Sequence, residues 1–143
     1  MEDINLLAVL LAAVGQFAFG ALWYTVLFGN LWGKMHGFDK LPKAKQQEMM
    51  KDMNVIYGLQ FLVTVISVLA LAKLIAIVPG YSAYTLAFWL WLGFMVPCNV
   101  SAVLFGGTDQ KWIASKIAVM CGAHVGYLLV AVYILSLFAT PSV

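Results

Sequence analysis

Four apolar stretches decide what this chain can fold into. They run from about residue 4 to 29, 55 to 78, 84 to 106 and 113 to 139, and their interiors hold almost no charge. A helix needs about 20 apolar residues to cross the hydrocarbon core of a bilayer, and each stretch is long enough. Backbone amides and carbonyls in lipid have no water to bond, so a spanning segment must satisfy them within itself, as a helix does. The whole chain is 64% hydrophobic and 10% charged, whereas soluble domains are near half apolar and a quarter charged. The expected fold is therefore all-α: an integral membrane four-helix bundle, built as a single transmembrane domain over residues 1–143.

The first stretch is too long for a cleaved signal peptide, and Glu2 and Asp3 precede it where lysines would be needed. It is expected to be retained as a span. Orientation follows from the lysines, since loops rich in Lys and Arg stay cytoplasmic. All eight basic residues are lysines. Lys34, Lys40, Lys43, Lys45 and Lys51 fall in the connection at about residues 30–54, and Lys111 follows the third span, with Lys116 just inside the fourth. Lys73 alone lies toward the opposite side, where its stem can snorkel outward. The expectation is a multi-pass protein of the cell (inner) membrane, with both termini outside and the lysine-rich loops cytoplasmic. There is no arginine fork or basic stripe of the kind nucleic-acid surfaces use, so no nucleic-acid partner is expected. The expected surroundings are the lipid bilayer and either further copies of the chain or another membrane protein.

Within the long connection, Asp39 is a candidate helix cap and Pro42 a candidate first-turn residue for a short polar helix. The "PGYS" turn, residues 79–82, should join spans two and three as an antiparallel hairpin.

Polar groups at depth are the informative positions, because each needs a partner that lipid cannot supply. Gln16 lies mid-span on a face shared with Gly20, Trp23 and Tyr24. Tyr57, Gln60, Thr64 and Ser67 recur at three and four along the second span. In the third, Pro97 removes the amide that would bond the Gly93 carbonyl, which predicts a kink, and Asn99 follows within the turn. In the fourth, His124 is near mid-depth with Tyr127 one turn on. Gln16, Gln60, Thr64, Ser67, Asn99, His124 and Tyr127 make one candidate polar layer: either interhelical glue or the lining of a hydrated pocket. Trp23, Tyr24, Phe28 and Trp32 read as an aromatic belt at the inner interface.

Gly122 and Gly126 are four apart and form a candidate close-packing face. Gly29, Gly33 and Gly37 share that spacing but fall at the membrane edge, where a loop is expected. Cys98 and Cys121 lie at similar depth and are expected to be buried thiols without chemistry. The sequence holds no zinc spacing, nucleophile–base pair, carboxylate dyad or phosphate loop, and no acidic residue lies inside a span. No enzymatic activity, cofactor or metal is therefore expected. Two functions lead, a structural or accessory membrane component and a small oligomeric transporter or channel, ahead of a third, an intramembrane enzyme or electron carrier.

"GALWYTVLFGNLWGK" (Gly20–Lys34, which includes Gly29), "WLGFMVP" (Trp91–Pro97) with "LFG" after it, and "GAHVGY" (Gly122–Tyr127) together resemble the bacterial four-span membrane family known as domain of unknown function 1761. The resemblance covers nearly the whole chain. It implies a four-helix membrane protein and transfers no activity or catalytic residue. Members of that family often carry a proline after the tryptophan–tyrosine pair. Thr25 and Val26 stand there instead, which removes the proline reason for a kink in the first span.

Overall fold

The computed structural model describes residues 4–51 and 53–138, and every regular element among them is helical. Four helices are long and apolar enough to span a membrane: Leu6–Leu27, Met53–Ile77, Ala83–Phe105 and Gln110–Leu137. The chain is thus an all-α four-helix membrane bundle. The expected placement of the termini, and of the last residues of the fourth stretch, lies outside the described residues.

Asn5 starts the first helix by accepting a hydrogen bond from the Ala8 amide at 3.1 Å. The helix widens into a π-helical turn over Leu22–Leu27 and breaks at Phe28, whose amide donates to the Trp23 carbonyl five residues back. The absence of a proline therefore did not keep this end straight. The hydroxyl of Thr25 donates to the Ala21 carbonyl at 2.6 Å, a back-bond that bends helices. Beyond the break, Gly29–Met35 forms a short helix, so Gly29 and Gly33 are helical rather than loop residues. Gly37 ends it at φ 67°, a left-handed turn that glycine adopts without penalty.

In the long connection Asp39 sits inside the 3-10 turn Phe38–Lys40, and its side chain makes no hydrogen bond among the described residues. The next helix is Lys43–Lys51. Pro42 precedes it, its carbonyl accepting from the Lys45 and Gln46 amides at 2.9 and 3.1 Å. The Gln46 side chain folds back to donate to the carbonyls of Phe38 and Leu41, which ties helix and turn together.

The second and third spans are joined by the expected short turn, with Gly80 at φ 94° and Ser82 capping Thr85. The third span carries its own π-helical turn, Trp91–Met95, immediately before Pro97. The Val96 amide reaches back to Trp91 there. Proline's missing donor is thus absorbed by a wider turn.

The first and fourth spans form the central antiparallel pair. Small residues bring them close: Ala12, Ala13 and Ala131 are fully buried, beside Val9 and Val132. Val68 and Leu71 from the second span and Ala87 from the third complete this core. It lies in the half of the bundle next to the Pro79–Ser82 turn. Toward the other end the second span leaves the bundle, and Val55, Ile56, Leu59, Leu62 and Val63 are all exposed. The hairpin of spans two and three is therefore packed only near its turn. A groove of about 180 Å³ separates them below it, walled by Ser67, Leu71, Leu74, Leu90, Phe94 and Leu128.

Both lysine-bearing connections lie at the end opposite that turn. Asp109 accepts from the Lys111 amide at 3.3 Å and pairs with its ammonium at 3.2 Å. These bonds hold the Asp109 carboxyl below its usual range, and Lys40 from the other connection adds to the pull. Both partners are exposed, so the pair contributes little to stability.

Candidate functional site

Side chains from the first and third spans converge on the backbone of the fourth. A helical carbonyl already accepts one amide and keeps a second lone pair for another donor. Gln16, 6% exposed, donates its amide to the Tyr127 carbonyl at 2.8 Å. Trp23 donates its indole N–H to the Val119 carbonyl at 3.1 Å. Trp91 reaches the Cys121 carbonyl from the third span at 2.9 Å. Two tryptophans on different helices thus grip carbonyls two residues apart on a third.

Trp23 is therefore more than a rim anchor. Its ring lies over Gly122, where an added Cβ would come within 2.9 Å of it. Phe19 occupies the corresponding place over Gly126. Gly20 leaves room for the Tyr127 hydroxyl, 2.7 Å from where a Cβ would stand. Phe19 meets Tyr127 edge-on with centroids 5.8 Å apart. The remaining aromatics chain outward: Trp23 to Phe28 at 4.7 Å, Tyr24 to Trp32 at 4.6 Å, Trp32 to His36 at 4.5 Å. Gly93 has open space where its Cβ would be, and the Gly29 site abuts the Tyr24 carbonyl at 3.3 Å.

Asn99 and His124 form the second part of the site. The His124 Nδ1 lies 2.7 Å from the Met120 carbonyl. A carbonyl only accepts, so Nδ1 carries a proton. The Asn99 side-chain amide is 3.1 Å from the same nitrogen. With that proton in place, the amide satisfies the contact by turning its oxygen toward the ring. His124 and Tyr127 meet edge-on at 5.6 Å. No hydrogen bond among the described residues uses His124 Nε2, and it is not among the fully buried polar atoms that lack a partner.

The sequence-defined polar layer is thus only partly assembled. Gln16, Thr64 and Asn99 are buried, at 6%, 8% and 8% exposure. Thr64 satisfies itself by donating to the Gln60 carbonyl within its own helix at 2.8 Å. Gln60 and Ser67 are exposed: the second span has left its neighbours at Gln60, while Ser67 faces the groove beside the third span. The two cysteines differ as well: Cys121 is buried and Cys98 exposed. No group of three or more metal-ligating side chains occurs among the described residues. Trp91 is a further donor to the fourth span, and its acceptor is a backbone carbonyl that no residue spacing points to.

Four apolar spans, with the first and third bonded through interior side chains to the backbone of the fourth, define a multi-pass membrane bundle. The chain belongs to the family described as protein of unknown function (DUF1761), whose family model matches residues 7–140. No curated protein and no solved structure matches it significantly.

Proposed function

We propose that this protein is a structural or accessory component of the inner membrane, without enzymatic activity, cofactor or nucleic-acid partner. In this reading both termini lie outside and both lysine-bearing connections face the cytoplasm. One observation carries it: Gln16, Trp23 and Trp91 commit their donors to carbonyls of the fourth span. Groups that would coordinate a cargo are occupied in holding helices together. The groove between spans two and three is walled almost entirely by hydrocarbon, which suits lipid or another helix better than an ion.

One feature favours a second reading, a small oligomeric transporter or channel. His124 is fixed through Nδ1 and leaves Nε2 unbonded beside Asn99 and Tyr127.

Proteoliposomes separate the two. Vesicles carrying the protein should pass protons and potassium no faster than empty vesicles, measured with a trapped pH dye and with valinomycin-calibrated potential. Gln16→Leu should lower stability in detergent by about 1 kcal/mol, the scale of an interhelical hydrogen bond in membranes. Flux above the empty-vesicle level, abolished by His124→Phe or Asn99→Leu in a protein that still folds, would replace the accessory reading with the transporter one.

A further inference from the structure

The second span carries a face that its own bundle leaves uncovered. Met53, Ile56, Gln60, Val63, Ser67 and Ala70 recur at alternating spacings of three and four, the stripe that lets two helices interlock side by side. Ile56 and Val63 are 54% and 57% exposed, and Gln60, Ser67 and Ala70 are exposed too. Lipid covers the aliphatic members at no cost. It cannot cover Gln60. The rings of Phe61 and Phe17 meet edge-on at 5.6 Å, which sets Gln60 level with the buried, mid-span Gln16. Among the described residues no hydrogen bond uses the Gln60 side chain, and the Thr64 hydroxyl takes only its backbone carbonyl, so the side-chain amide faces hydrocarbon with two donors and an acceptor unmet.

We infer that the second span pairs with the second span of another copy of this chain, in a two-fold dimer whose axis runs along the membrane normal through Gln60. An amide is complementary to itself, so two glutamines exchange two hydrogen bonds. Copies inserted with the same topology carry Gln60 at the same depth, and the two-fold brings the pair together without further adjustment. An unrelated partner would need a polar group at that depth independently. A single polar residue in such a stripe fixes register and copy number. Ser67 and Ala70 keep the upper part of the stripe slim, and both also line the groove beside the third span. The dimer deepens the accessory reading by naming its partner. A monomeric chain overturns the pairing alone, whereas flux through intact dimers overturns the accessory reading alone.

The test measures association of the full chain in bilayers by single-molecule photobleaching across protein-to-lipid ratios. Wild type should bleach in two steps. Gln60→Leu should weaken dimerisation about tenfold, from the loss of two interhelical bonds, and Gln60→Asn should retain it. Gln60 is exposed and its side chain bonds to nothing among the described residues, so unfolding of the Gln60→Leu monomer should match wild type. In a Cys98→Ala, Cys121→Ala background, oxidation should cross-link Ile56→Cys, Gln60→Cys and Val63→Cys but spare Val55→Cys and Leu59→Cys. A monomeric wild type, three or more copies, dimers unaffected by Gln60→Leu, or cross-links centred on Val55 and Leu59 would each overturn the proposal.

Discussion

Gly126→Leu is expected to be the most damaging small-residue change in the bundle. An added Cβ at Gly126 would fall onto three atoms of the Phe19 ring. That ring cannot simply step aside: it is tilted against Trp23 at 5.5 Å and edge-on to Tyr127 at 5.8 Å. Overfilling a packed interface costs about 1–3 kcal/mol, so Gly126→Ala should fall in that range and Gly126→Leu at or beyond its upper end. Unfolding in mixed micelles, followed by circular dichroism, reads both. Phe19→Ala alone should cost about 3–5 kcal/mol, yet combined with Gly126→Leu it should cost less than the sum. That coupling is the signature of two side chains competing for one space. Gly58→Ala and Gly93→Ala are the controls: both sites open onto empty space, and alanine should leave stability unchanged or raise it by about 0.5–1 kcal/mol. Additive losses in the Phe19 pair would remove the steric explanation.

The Gly122 and Gly126 contact was legible because small residues four apart mark one helix face. What fills the hollow was not, since no spacing rule connects Phe19 and Trp23 to glycines a hundred residues away. The four helices were legible for a blunter reason: a long apolar run in lipid has one low-cost backbone conformation. Pro97 announced a disturbance in the third span through its missing donor. The equivalent disturbance at Leu22–Leu27 has no proline or glycine to announce it, only the Thr25 hydroxyl that competes for the Ala21 carbonyl. Gln16 was expected to bond within the bundle, but its acceptor is a backbone carbonyl. Every residue owns one, so residue identities do not reveal the partner. The spacing of Gln60, Thr64 and Ser67 points to one polar layer, yet only Thr64 of the three is buried. Periodicity places residues on a common face of their own helix; it does not say where that helix leaves its neighbours. The second span does so below Thr64, and Gln60 goes with it.

The two tryptophan donors carry the second large expected effect. Trp23 and Trp91 approach the fourth span from different helices and bond carbonyls two residues apart, Val119 and Cys121. Truncating a packed tryptophan to alanine costs about 3–5 kcal/mol, and each single variant should lose that much in the micelle unfolding experiment. Replacement by phenylalanine separates ring from donor. Trp23→Phe and Trp91→Phe keep most of the packing and lose one interhelical hydrogen bond, worth about 0.6 kcal/mol on average and at most about 1.7. If the bonds only decorate a packed interface, the phenylalanine variants will match wild type. If they position the fourth span, the two should also differ in kind. Trp23→Phe disturbs the helix pair that forms the centre of the bundle. Trp91→Phe frees the π-helical turn of the third span, whose only foothold of this kind on the fourth among the described residues is that indole. Hydrogen exchange should therefore quicken in Trp91–Met95 for Trp91→Phe and around Val119 for Trp23→Phe. Because Asn99 is held by His124 one turn beyond Met95, a loosened third span would also disturb that pair. Faster exchange around Asn99 in Trp91→Phe, absent from Trp23→Phe, would show that the indole steadies the Asn99–His124 contact.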